Sequence, residues 1–282
     1  VLGITTVAGN VALELTQANA RRLCELAGRR DMKVFAGCAR PMVRPLVTAE
    51  AVHGRTGLDG CGLPDPSMPL QAVHAVDWIV ETLMAAQDGE ITLCTLGPLT
   101  NVAMAMVKEP RILPKVREIV MMGGGFFEGG NVTPAAEFNI HVDPHAAHVV
   151  FTSGCRLTLM PLDVTHKALT TLARLECFGA IPTPAGRACH GMLSFYTRHD
   201  ISKYGGDGGP LHDPCVIAYL LAPELFGGKE VAVAIEIASE QTMGMTLVDW
   251  WGVTGATPNC TVMNAIDDEA FYDLLIERIA RL

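Results

Sequence analysis

The stretch "EITLCTLGPLTN" (residues 90–101) runs from β-forming side chains into Gly97-Pro98 and then into residues that suit a helix start. Ile91 to Thr95 read as a strand, the Gly-Pro pair breaks it, and a helix is expected from about Asn101 to Lys108. "VREIVMMGGG" (116–125) repeats the form, a strand running into glycine, and "RLTLMPLDVTH" (156–166) reads as a further strand. Between these two, "DPHAAHVVFTSG" (143–154) carries helix punctuation: Asp143 as N-cap, Pro144 at the first helical position and Gly154 at the exit. Strands alternating with helices, each strand followed by a glycine-rich turn, imply an α/β fold with a mostly parallel central sheet and helices on both faces.

Upstream, "VLGITTVAGN" (1–10) is a strand with Asn10 placed to cap a following helix, which Gly28 would stop. "KVFAGCA" (33–39) is a short strand and "AVDWIVETLMAA" (75–86) a helix. Downstream, "VIAYLLAPELF" (216–226) reads as a core helix, while "VAVAIEI" (231–237) and "NCTVMNAI" (259–266) add strands, some of them antiparallel. No linker or repeat divides residues 1–282, so a single Rossmann-like domain is expected.

Hydrophobic residues make up 49% and charged residues 18%, with a formal net charge of −9. That balance excludes a nucleic-acid partner, which requires a clustered basic surface. No apolar run approaches the roughly 20 residues that span a bilayer, so no membrane partner is expected. Nine cysteines without CxxC spacing point to free thiols in a reducing compartment, hence a cytoplasmic location. The chain opens on Val1 rather than methionine, and a segment upstream is expected to be absent from it.

In parallel α/β sheets ligands bind beyond the carboxyl ends of the strands, and the polar residues of this sequence collect there. The segments are "TTVAGN" (5–10), "VHGRTGLDG" (52–60), "LGPLTN" (96–101), "GGNVTPAAEFNIHVDP" (129–144) and "GPLHDPC" (209–215). Asn131, Glu137 and Asn139 offer a carboxylate and two carboxamides, a set suited to several hydroxyls at once, or else a loop held by its own Asx turns. "MMGGG" lacks the lysine and spacing of a phosphate loop. His53 and His212, in glycine-rich turns, are the acid–base candidates, whereas His145 and His148 are expected on a helix surface. His212 and Asp213 adjoin where apolar burial begins, either to start a helix or to face a pocket. Tyr204 is placed to stack on a planar ligand or to fill a loop.

Together "LGITTVAGN", "HGRTGLDG", "LGPLTNVAMA", "VMMGG", "GNVTPAAEFNIHVDPHAAHVVF", "LDVTHKA" and "GPLHDPCVIAYLL", in this order, resemble the inosine–uridine preferring nucleoside hydrolase family. The resemblance implies hydrolysis of the N-glycosidic bond of ribonucleosides to ribose and free base, with a bound Ca²⁺ that activates water. It implies Asp213 and the backbone carbonyl of Leu96 as calcium ligands, and Asn131, Glu137 and Asn139 as ribose contacts. Met122 would line the sugar face, and Asn10 would support the metal-binding loop. His212, with an imidazole pKa near neutral, would act as acid to the leaving base; His53 would lie near the base and Tyr204 in the segment covering it. A homodimer or homotetramer is implied as well.

Two departures accompany the resemblance. The family's aspartate cluster, of the form DxDxGxDD on its first strand and turn, occurs nowhere in residues 1–282. The chain is therefore expected to lack that strand, the alternative being a catalytically inactive nucleoside- or ribose-binding relative. Arg55 stands where the family usually has Glu after "HG", which predicts an altered base preference or a different salt-bridge partner. "HGRTGLDG" and "FYTRHDISKYGGDGG" (195–209) are closer to pyrimidine-preferring members. An α/β enzyme acting on phosphorylated sugars is disfavoured, because no Lys- or Arg-bearing phosphate loop is present.

Overall fold

The structure, a computed structural model, describes the backbone of residues 1–282 and all side chains except those of His199, Asp200, Lys203 and Tyr204. The expectation for Tyr204 thus lies outside the described residues. β1 (Ile4–Thr6), α1 (Leu13–Leu26) and β2 (Val34–Ala36) form a parallel β-α-β unit. Asn10 does not cap α1, which starts after Ala12 with no side-chain cap; instead the Asn10 carbonyl accepts from the Ala49 N–H at 2.9 Å. That bond ties the first turn to the segment opening α2 (Glu50–His53).

After α3 (Ala75–Ala85), the main sheet is laid down as β3 (Ile91–Thr95), α4 (Thr100–Lys108), β4 (Val116–Met122), α5 (Phe138–Val142), α6 (Pro144–Phe151) and β5 (Leu157–Met160). Asp143 caps α6 as its sequence position predicts, accepting from the Ala146 N–H at 3.0 Å, with Pro144 in the first turn. Beyond β5 the expected long strand stops. Pro161 supplies no N–H to a ladder, and the chain turns into the short helix α7 (Leu162–Thr165).

The remaining elements are β6 (Leu169–Thr171), α8 (Leu172–Gly179), α9 (Pro184–Tyr204), β7 (Gly208–Pro210), α10 (Pro214–Leu221), β8 (Phe226–Ile235), β9 (Thr246–Asp249), β10 (Cys260–Ile266) and α11 (Asp268–Ile279). The six-stranded sheet has the order β3-β4-β5-β10-β8-β9, parallel through β10 and antiparallel beyond it.

β4 shows why both faces are covered. Its alternation sends Ile119 and Met121 into one core with α3, α4 and α6, and Val120 and Met122 into another with α8, α10 and α11. Burial on both sides forces the strand ends, rather than the faces, to carry the polar groups. β1 and β3 share no ladder, but their C-terminal turns approach one another at Val7 and Gly97 and at Gly9 and Pro98. The buried Asn101 side chain of α4 braces this region, donating to the Thr6 carbonyl at 2.9 Å and accepting from the Cys38 N–H at 2.8 Å.

His145 and His148 are half-buried on α6 rather than surface residues. All nine cysteines are free. Among the described residues, no helix is long and apolar enough to cross a membrane.

Candidate active site

One wall of the candidate site begins where β4 ends. Past Met122 the backbone turns at Gly124 (φ +71°), and its N–H donates to Glu137 Oε2 at 2.9 Å. Glu137 is also the N-cap of α5, accepting from the N–H groups of Asn139 at 2.9 Å and Ile140 at 3.2 Å. The carboxylate is buried, and among the described residues no Lys or Arg pairs with it. Desolvation outweighs these three hydrogen bonds and pushes its pKa up to about 7.

Asn139 donates to the Met122 carbonyl at 3.1 Å, with the Met122 sulfur 3.4 Å away, so the α5 side of this wall is tied to the end of β4. Asn131 Oδ1 accepts from the Phe138 N–H at 3.0 Å, the local use that an Asx turn predicts. These bonds leave the Asn131 amide nitrogen and the Asn139 side-chain oxygen for a ligand.

On the opposite wall, α10 begins at Pro214 with Asp213 in the N-cap position, yet the Asp213 side chain makes no capping bond. Its carboxyl is pushed up to about 7, first by desolvation and then by repulsion from Glu137. Two carboxylates from segments far apart in sequence therefore share one field. Desolvation, then the neighbouring His166 and His53, push the His212 pKa down to about 3. This corrects the near-neutral imidazole expected of it. At pH 7 His212 is an uncharged ring, with one N–H to donate and one bare nitrogen to accept.

Aromatic rings complete that wall. The His53 ring stacks on Tyr196 of α9 at 5.8 Å, and Tyr196 meets His212 edge-on at 6.5 Å. His166 lies 5.9 Å from His212, with its Nδ1 3.1 Å from Glu128 Oε2. Thr165 Oγ1 is 2.7 Å from His212 Nδ1. Asp163, also on α7, accepts from three consecutive N–H groups, those of Phe126, Phe127 and Glu128, at 2.8–3.1 Å. One short helix thereby fixes the loop at residues 126–128 and His212 together.

Tyr196, Thr165, His166 and Asp163 were not singled out by the sequence. Only "LDVTH", with its ionisable and hydroxyl residues directly after a strand, gave a local signal. Arg55 is exposed and, among the described residues, forms no ion pair; its N–H donates to Asp59 at 3.1 Å. The Asp59 carboxyl is held below its usual range, chiefly by the Thr56 hydroxyl.

Leu96 follows β3 directly and is 41% exposed. Among the described residues, no hydrogen bond joins Leu96 or Asn10 to Asp213, and no group of three or more His, Cys, Asp or Glu is gathered to hold a metal. Calcium takes about 6–8 oxygens. The uncompensated Glu137–Asp213 charge has the right sign for a cation, but one carboxylate and one carbonyl do not by themselves fit a calcium ion.

The model of the inosine-uridine preferring nucleoside hydrolases matches residues 1–273. The chain belongs to this family. A pyrimidine-specific ribonucleoside hydrolase of Shewanella baltica is 44% identical over 279 residues, covering 99% of this chain and 87% of the relative. An uncharacterised protein of Schizosaccharomyces pombe is 48% identical over 281 residues, covering 100% of this chain and 91% of its own length. Among solved structures, a purine-preferring ribonucleoside hydrolase from Gardnerella vaginalis superposes with a TM-score of 0.92 at 28% identity, over 100% of this chain and 90% of that one. The nucleoside hydrolase fold and enzyme class, an N-ribohydrolase, follow for this chain.

Proposed function

We propose that the site hydrolyses pyrimidine ribonucleosides, with ribose held by Asn131, Glu137 and Asn139 over Met122 and the base held between His212, His53 and Tyr196. The observation that carries this is the shared field of Glu137 and Asp213 set against the uncharged His212 ring. Breaking the C1′–N bond leaves positive charge on the sugar and sends the electron pair to the base. Buried carboxylates oppose the first charge, and an N–H donor stabilises the second. The pyrimidine preference is supported by the Shewanella baltica relative, whereas the Gardnerella vaginalis structure is of a purine-preferring enzyme.

Calcium belongs to the same proposal. Asp213 and the Leu96 carbonyl would be this chain's donors, and Asn10 would support the loop beside them. Calcium held there would supply a coordinated water that loses its proton more easily than bulk water.

The test is ribose release from uridine, cytidine, inosine and adenosine, with and without calcium. Release from the pyrimidine nucleosides is expected, with a changed ranking in Arg55→Glu. Binding without release overturns the hydrolase reading in favour of a nucleoside-binding protein.

A further inference from the structure

α7 is only four residues long, yet it is fixed from two directions. The Pro161 carbonyl accepts from the N–H groups of Val164 and Thr165 at 3.0 and 3.1 Å, and Asp163 is clamped by the three N–H groups of residues 126–128. Thr165 is fully buried at the end of this helix, so its hydroxyl direction is set by the fold rather than by solvent. Among the described residues, His212 Nδ1 at 2.7 Å is the one hydrogen-bond partner of that hydroxyl.

A buried hydroxyl hydrogen needs an acceptor. Were the ring hydrogen on Nδ1, it would donate to Thr165 Oγ1 and leave the hydroxyl hydrogen with no acceptor. With Nδ1 bare, the hydroxyl donates to it and the neutral ring carries its hydrogen on Nε2. Nε2 makes no hydrogen bond to the described residues, so that N–H is available to the site. Tyr196 and His166 flank the ring at 6.5 and 5.9 Å and limit its tilt.

Resting on the base-side placement of His212 proposed above, we infer that Thr165 is a positioning residue that holds His212 in the Nε2–H tautomer. The leaving base thus meets an N–H donor rather than a lone pair. The C1′–N electron pair moves onto the base, and a lone pair facing it would repel the charge that develops there. Thr165 touches no reacting atom and acts through His212 alone.

Long-range ¹H–¹⁵N correlation on protein labelled with ¹⁵N-histidine reads the tautomer directly, with the His212 signals assigned by their loss in His212→Asn. Nε2 is expected as the protonated nitrogen and Nδ1 as the bare one. In Thr165→Val the two tautomers mix, and kcat for uridine falls about 10- to 100-fold while KM moves less than about threefold. Thr165→Ser restores the pattern and brings kcat to within about threefold of the parent. An Nδ1–H ring in the parent, or a Thr165→Val protein with the parent's pattern and kcat, overturns the inference. The spectrum needs no turnover, so failure of the hydrolase reading would leave the tautomer result standing and separately visible.

Discussion

Glu137 shows how one residue is given both a structural and a chemical task. Its two oxygens receive three backbone N–H groups, which fixes the Gly124 turn and the start of α5 in one geometry. A glutamine at this position keeps one acceptor and points an NH₂ at N–H donors. Glu137→Gln therefore orphans at least one buried N–H at a cost of about 1–3 kcal/mol, and removes the anion facing the sugar. We expect a lower melting temperature together with a loss of kcat/KM of about 100-fold or more. A variant that melts lower but keeps its kcat/KM would show that Glu137 only builds the turn. The sequence exposed Glu137, Asn131 and Asn139 because polar residues crowded among glycine and proline after a strand are conspicuous. It did not expose Thr165 or Tyr196. Thr165 meets His212 across 47 residues of chain, and Tyr196 acquires its place from the rings on either side of it. Neither relation leaves a local pattern.

At the scale of elements, the alternation of strand and helix was legible because Ile119–Met122 of β4 and Leu157–Met160 of β5 are buried on both faces and so are apolar but for Thr158. α7 was not legible, since four residues after a strand are too few to show helical periodicity and Leu157 to Leu162, which lead into it, are apolar but for Thr158. The packing of the loop at residues 54–63 against α9 was equally hidden. Gly60 and Gly191 let the two backbones cross: a Cβ on Gly191 would lie 2.3 Å from the Gly60 carbonyl oxygen, and one on Gly60 2.6 Å from that of Gly191. Backbone cannot yield as a side chain tip can. Gly191→Ala is expected to lift the loop, and with it His53 from Tyr196. KM for uridine should rise on the order of 10-fold with a smaller change in kcat. Hydrogen exchange of residues 54–63 should quicken in step, and an unchanged exchange rate with an unchanged KM would count against this packing as a determinant of the base side.

For the whole molecule, the site opposes the fold's own stability in a pH-dependent way. Without metal, Glu137 and Asp213 have folded pKa values of about 7 against ordinary values of 4.5 and 3.8. Between those limits the native chain holds protons that the unfolded chain has released, so each carboxyl's stabilising effect is fully present at low pH and lost as pH rises towards 7. His212 acts oppositely: its folded value of about 3 lies below the ordinary 6.5, so the unfolded chain binds the extra proton and stability rises with pH over that window. Two groups act against one, and the net contribution of the site falls between about pH 4.5 and 7. In chelator-treated protein, Asp213→Asn removes one of the two falling contributions and also relieves Glu137 of its neighbour. Its melting temperature is therefore expected to exceed the parent's at pH 7.5 by on the order of 5 °C and to converge with it at pH 4.5. A cation that satisfies Asp213 replaces the proton, so any stabilisation of the parent by calcium should be greater at pH 7.5 than at pH 5 and absent from the variant. Parallel melting curves for parent and variant across this range would mean that the two carboxyls titrate independently of folding, and that the cost of gathering negative charge at the strand ends is met elsewhere.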